Sequence, residues 1–233
     1  MRYFSLDTNF VLALVNDKDR LSKTAYTIIK NEKKDCALCI SVLKESRKVV
    51  QEKINRAVVN SLEIIVDIKD ITDPIIREKE LKKRFKSLIT RDVQLKNFYL
   101  FLQDKILSYI KTIGLQTLPR YLSNLSEHVA RTLEPELKKI ISYTSIKINL
   151  SNSGVVDKFT EVKTCSSSVH FKDTMDYQIF CEIVINLSAN FMLDFYTDDK
   201  EFSQKGKKAY HVLEQKLSYN HSWLDIIYYI INN

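Results

Sequence analysis

Arg2-Tyr3-Phe4-Ser5-Leu6-Asp7-Thr8-Asn9-Phe10-Val11-Leu12-Ala13-Leu14-Val15 is the stretch on which the fold turns. Tyr3, Phe4 and Leu6 are apolar and read as a short strand over residues 2–6. Asp7, Thr8 and Asn9 are residue types whose side-chain oxygens hold the free amides of a helix start, and the apolar run 10–15 follows at once. The stretch is a strand-to-helix junction. Outward from it, the pattern predicts a helix over 21–31, a buried strand over 36–41 and a helix from 42 to about 59. Beyond Ser166 it predicts a helix over 173–188, a buried strand over 191–196 and a helix from about Lys200. Elements alternating in this way imply an α/β fold with a mostly parallel central sheet.

Between these blocks, residues 70–143 read as almost wholly helical. Leu81, Phe85, Leu88 and Ile89 share one face, and Lys79, Lys82, Lys83 and Lys86 the other, which makes a basic amphipathic helix. Residues 98–110 are apolar enough to be its buried partner, and Pro119 and Pro135 are expected at helix starts. Residues 145–165 alternate more like strands or loops, through Ile146, Ile148 and Leu150, with a turn at 151–154. The expected organisation is a core of residues 1–66 and 166–233 carrying a mainly helical insertion, 67–165.

Composition sets outer bounds. The 233 residues are 45% hydrophobic and 28% charged, the profile of a globular chain and not of a disordered or fibrous one. With 3 Gly and 3 Pro, tight hairpins must be scarce, which excludes an all-β fold. No run nears the roughly 18 apolar residues of a membrane span, the segment 223–231 being short and broken by Asp225. Without a basic, cleavable leader the expected location is cytoplasmic, with no membrane partner and with Cys36, Cys39, Cys165 and Cys181 as reduced thiols. Cys36 and Cys39 have zinc-like spacing, but no second pair answers them, and burial in an apolar run is the simpler reading. The net charge of +7 divides as +4 over residues 1–66, +6 over 67–165 and −3 over 166–233, so the insertion is a candidate polyanion-binding surface or a solvated helical region.

The acids carry the functional signal. Asp7 stands at the C-terminal end of the first strand, where open α/β sheets gather ligand sites, although a helix N-cap would also use it. Asp176 shares a helical face with Ile179, Phe180 and Ile183, and a buried carboxylate needs a cation, a hydrogen-bond network or a proton. Asp173 lies one turn earlier and suits the N-cap of that helix. Thr197, Asp198 and Asp199 follow the strand 191–196, and a capping box of Asp198 with Glu201 accounts for one of the two acids. Glu45 sits early in its helix, within reach of the preceding strand's end. His128, His170, His211 and His221 form no obvious dyad, and His170 reads as a loop residue near the acids.

Four blocks resemble the PIN domain, a nuclease family found in toxin–antitoxin toxins and RNA-processing factors. Leu6-Asp7-Thr8-Asn9-Phe10-Val11-Leu12 looks like its opening strand and first acid, and Ile40-Ser41-Val42-Leu43-Lys44-Glu45 like the block of its second. Asp176-Tyr177-Gln178-Ile179 resembles the third-acid helix, and Thr197-Asp198-Asp199-Lys200-Glu201-Phe202 the family's Thr-x-Asp-x-x-Phe. The resemblance covers residues 1–60 and 166–205 in family order. It departs from compact toxins in the 131 residues separating Glu45 from Asp176 and in the bulky Tyr177, Phe180 and Cys181.

The resemblance implies a three-layer α/β/α core and a metal-dependent endoribonuclease. Its ligands would be Asp7, Glu45, Asp176 and Asp199, then Asp173 and Asp198, with Thr8, Asn9 and Thr197 orienting them. An oxygen-only set suits Mg²⁺ or Mn²⁺ rather than zinc. RNA is the implied substrate, and Lys79, Lys82, Lys83 and Lys86 are candidate phosphate contacts. A homodimer, another protein partner and a cognate antitoxin stay open. Two alternatives stand beside this reading: a PIN-like RNA-binding or assembly module without activity, and a structure-specific DNA nuclease served by the larger acid set.

Overall fold

The computed structural model describes residues 1–16, 19–148 and 151–229. Five strands form one sheet: β1 (Arg2–Leu6), β2 (Cys36–Cys39), β3 (Tyr143–Ile146), β4 (Met192–Thr197) and β5 (Leu224–Tyr228). Their order is β3-β2-β1-β4-β5, and every pairing is parallel. Parallel neighbours need long crossovers, which the helices supply. Helices α1 (Thr8–Leu14) and α2 (Ser22–Asn31) join β1 to β2. Helices α3 (Ile40–Ile68), α4 (Pro74–Arg91), α5 (Lys96–Thr112) and α6 (Leu118–Ile140) lie between β2 and β3. Helices α7 (Ser153–Ser166) and α8 (Thr174–Asn186) precede β4, and α9 (Lys200–Leu217) joins β4 to β5.

The chain works outward from β1 through β2 to β3, then returns to the other side of β1 for β4 and β5. That reversal makes the β1–β4 boundary the topological switch point, and crossovers running both ways from it place helices on both faces of the sheet. Adjacent residues of β4 confirm the two faces. Phe195 meets Phe202 of α9 with ring centroids 5.2 Å apart, whereas the Tyr196 hydroxyl donates to Glu32 at the end of α2. At Gly206, α9 approaches β5 so closely that an added Cβ would stand 2.6 Å from Ile226 Cδ1.

The chain separates into two compact units, Met1–Ser46 with Glu134–Asn233, and Arg47–Leu133. The first holds the sheet and a core in which Leu6, Phe10, Leu38, Phe180 and Phe195 are fully buried. The second is helical and has its own core, with Leu81, Phe85, Tyr99, Leu102 and Ile106 interlocked. Leu81, Phe85 and Leu88 form the buried face of α4, as their spacing predicts, and Pro74 occupies its first turn behind the Asp73 cap.

Several expectations need correction. Unit boundaries fall at 46/47 and 133/134 instead of 66/67 and 165/166, because α3 and α6 each start in one unit and end in the other. Helix α3 runs to Ile68, since no Gly or Pro interrupts residues 40–73. Pro135 lies inside α6 and not at a start. The buried Leu122 and Leu137 anchor the helix on either side of it, each in the core of its own unit, which offsets the lost backbone hydrogen bond. Among the described residues of the segment 145–165, only 145–146 are strand, the end of β3. Residues 153–166 form α7, capped by the Asn152 side chain on the Gly154 amide, 3.0 Å. Leu150 lies outside the described residues, as do Ile230 and Ile231. The apolar stretch from 223 supplies β5, an edge strand paired in register with β4. Among the described residues, no helix is long and apolar enough to cross a membrane.

Candidate functional site

Both strands at the switch point deliver acids from their C-terminal ends, β1 through Asp7 and β4 through Asp198 and Asp199. Asp7 is buried at 8% exposure. One carboxylate oxygen accepts the Phe10 amide at 3.0 Å, capping α1, and the other accepts the Asp198 amide at 3.1 Å, tying the two strand ends together. Asp7 is therefore the N-cap of α1, and its second oxygen is committed to the end of β4. Burial pushes its carboxyl up to about 7; hydrogen bonds from Thr197, Phe10 and Asp198 oppose the rise, and the Asp198 charge adds to it.

Thr8, Asn9 and Thr197 take the connecting positions. The Thr8 hydroxyl donates to Glu45 on α3, and Asn9 Nδ2 donates to Asp198 at 2.8 Å. Thr197, 1% exposed, accepts the Asp199 amide at 2.9 Å. Asp199 in turn accepts the Phe202 amide at 2.9 Å and is the N-cap of α9. The expected Asp198–Glu201 capping box does not form: Asp199 takes the cap one residue later, and Glu201 pairs with Lys205.

On α8, Asp173 is the N-cap, accepting the Asp176 amide at 2.8 Å. Asp176 is half-buried in the first turn of that helix. Burial raises its carboxyl to about 6, the charges of Asp173, Asp199 and Glu45 add to the rise, and Lys172 opposes it. The six acids thus form two linked groups: Asp7 with Asp198, and Asp176 within electrostatic reach of Asp173, Asp199 and Glu45. Among the described residues, Asp198 pairs with Arg20 at 3.6 Å, but Asp7, Glu45, Asp173, Asp176 and Asp199 form no ion pair.

As a donor set, oxygen-only carboxylates without paired cations suit a hard divalent ion. Their spacing is looser than a finished metal cage, for among the described residues no three His, Cys, Asp or Glu side chains stand close enough to hold an ion together.

Sequence reading missed Glu182. This α8 residue is 4% exposed and grips the start of α3, accepting the Ser41 amide at 2.9 Å and the Ser41 hydroxyl at 2.7 Å. It joins the helix of Asp176 to the helix of Glu45, and so fixes one acid relative to the other. A lone Glu in the apolar run 179–185 was the available signal. Cys36 and Cys39 are buried free thiols, with Cys36 pushed up to about 12 by burial, which fits core residues.

The four lysines of the stripe lie on exposed positions of α4 in the helical unit. Lys82 pairs with Glu78 at 2.7 Å and Lys83 with Glu80 at 3.7 Å, while Lys79 and Lys86 form no ion pair among the described residues. Comparison with family models, curated proteins and solved structures returns no match to this chain.

Proposed function

We propose that the chain is a PIN-like, divalent-metal-dependent endoribonuclease whose chemistry sits at the β1–β4 switch point. One observation carries this reading. Asp7 and Asp199 stand at the ends of β1 and β4, and Asp176 lies within electrostatic reach of Asp199 and Glu45, with no Lys or Arg paired to any of the four among the described residues; a cation would relieve the repulsion among them. These four residues would hold Mg²⁺ or Mn²⁺, with Asp173 and Asp198 in reserve. A bound ion of this kind supplies a water of lowered pKa and neutralises charge developing on the phosphate. The protein's own contribution is positional. Thr8 steers Glu45, Thr197 and the Asp198 amide steer Asp7, and Glu182 keeps α8 and α3 in register.

The test is cleavage of end-labelled single-stranded RNA by purified protein with Mn²⁺ or Mg²⁺. Products with 5′-phosphate ends are expected, and Asp7→Asn should lower the rate by about 10³-fold or more while the protein still melts cooperatively. Cleavage that persists in EDTA or in Asp7→Asn overturns the reading. A second reading, an RNA-binding or assembly module without catalysis, is favoured by the absence of any three ligating side chains within reach of one ion among the described residues. RNA binding unaffected by Mn²⁺, with no cleavage, would establish it. Parallel assays on flap-structured DNA test the DNA-nuclease alternative.

A further inference from the structure

Beside the start of α8 lies an open cavity of about 420 Å³, within the size range of small-molecule sites. Its walls are mixed in a particular way. Phe171 and Tyr177 are half-buried aromatics with ring centroids 5.5 Å apart. Lys163, His170 and Lys172 line the same cavity from exposed positions. Neither lysine forms an ion pair among the described residues, whereas Lys82, Lys111, Lys139 and Lys205 are all taken up by carboxylates. Inside the cavity, Ser166 donates to the Val162 carbonyl at 2.6 Å, so the Tyr177 hydroxyl donates to Ser166 at 2.9 Å and keeps acceptor lone pairs of its own.

The cavity shares its rim with the acids. Asp173 lines it, and the Asp173 side chain holds the Asp176 amide one turn into α8. Lys163, set over the Phe159 ring at 5.5 Å, and Lys172 carry no carboxylate partner among the described residues, and ammonium groups for phosphate with a π-face for a base are what a strand of nucleic acid asks for.

We propose that this cavity is a subsite for one nucleotide of a single strand, Phe171 and Tyr177 receiving the base and Lys163 and Lys172 its phosphate. The subsite would seat the nucleotide next to the phosphodiester presented to the acids. Its place on a strand rests on the nuclease reading; the binding of a nucleotide does not. Aromatic contact is tolerant of base identity, so modest base preference is expected.

The experiment titrates the full-length, metal-free protein in EDTA with adenosine 5′-monophosphate, adenosine and inorganic phosphate, followed by backbone amide shifts. The mononucleotide should saturate and perturb amides across residues 163–177, binding about tenfold or more tighter than either half alone. Lys163→Gln with Lys172→Gln should weaken it about tenfold, with the melting temperature unchanged because both side chains are exposed. Failure to saturate, shifts confined elsewhere, equal binding of inorganic phosphate, or unchanged affinity in the lysine pair would each overturn the subsite. With Mn²⁺ and RNA, the same pair should raise KM and leave kcat in place. Nucleotide binding without any cleavage removes the nuclease reading and keeps the subsite. Cleavage with KM unmoved by the lysine pair keeps the nuclease and removes the subsite.

Discussion

Acids in two regions of the sheet unit meet opposite treatment. Asp194, in the middle of β4, is 4% exposed, and Arg2 Nε donates to it at 2.7 Å while Lys34 adds a second cation. Burial works to raise its pKa, but the Arg2 and Lys34 hydrogen bonds and charges win, holding the carboxyl below its ordinary value. At the far end of β4 the chain delivers Asp198 and Asp199 against Asp7, and there Asp7 is pushed up to about 7 and Asp176 to about 6. The protein therefore has the means to neutralise a buried carboxylate: it uses them on Asp194 and, through Arg20, on Asp198, but among the described residues not on Asp7 or Asp176. Asp194 is held between fixed cations; Asp7 is held by the Phe10 and Asp198 amides, Asp176 by no side-chain hydrogen bond among the described residues, and burial raises the carboxyls of both.

The largest effect expected from this contrast is on the pH dependence of metal-free stability. Asp7 titrates near 3.8 when unfolded and about 7 when folded, so between these values the native state binds the extra proton. Stability should thus fall as pH rises from about 4 to about 7, by up to about 4 kcal/mol, and level off above that window. Urea melts of wild type and Asp7→Asn across this range check it, the variant showing a flatter profile. Identical profiles would mean that folding leaves the proton affinity of Asp7 unchanged.

At the other end of β4 the sign reverses. Asp194→Asn removes the carboxylate shared by Arg2 and Lys34, whose side chains are 34% and 33% exposed and can be rehydrated, and Lys34 keeps Glu32 at 3.2 Å. The loss should therefore be about 2 kcal/mol, less than for a fully buried pair, and it should appear in Mn²⁺ and in EDTA alike. A loss that Mn²⁺ rescues would place Asp194 in the metal-binding group and dissolve the comparison.

How much of this was readable beforehand follows from the same physics. The β1–Asp7 junction was legible because strand, cap and apolar helix follow one another within fourteen residues, all local signals. The caps Asp7 and Asp173 were legible for the same reason, while the cap of α9 falls on Asp199 and not on Asp198. Helix α7 was not, because its Ser and Thr residues mask the helical spacing of Val155, Phe159, Val162 and Ser166. Strand β5 was weighed only as a membrane segment. Asp194 and Glu182 went unread because their partners, Arg2, Lys34 and Ser41, are more than 140 residues away in sequence, and a lone acid in an apolar run does not name its partner.

Asp176 offers a smaller and sharper version of the contrast. Asp173, Asp199 and Glu45 act on it, and its side chain makes no hydrogen bond among the described residues, so Asn keeps the shape and removes the repulsion. In EDTA near pH 8, Asp176→Asn should melt higher than wild type by a gain of about 1 kcal/mol. Saturating Mn²⁺ should reverse the order, since it stabilises the native wild type by RT ln(1 + [L]/Kd) and the variant much less. A variant that melts lower in EDTA and responds fully to Mn²⁺ would make Asp176 a structural residue like Asp194.

The smallest effect concerns cations, where the same distinction between paired and unpaired charge applies with the signs exchanged. On α4, Lys82 and Lys83 are partly neutralised by Glu78 and Glu80, whereas Lys79 and Lys86 are exposed without ion pairs among the described residues. A phosphate contact releases condensed counterions, and each contact steepens the log–log salt dependence of single-strand binding by about 0.7. A lysine already held by a glutamate must give up that partner first and contributes less. If α4 touches RNA, replacing Lys79 and Lys86 by Gln should flatten the slope by about 1.4, and replacing Lys82 and Lys83 should flatten it by less. Filter-binding titrations over a series of salt concentrations measure both. Equal slopes in all three proteins assign the stripe to solvent.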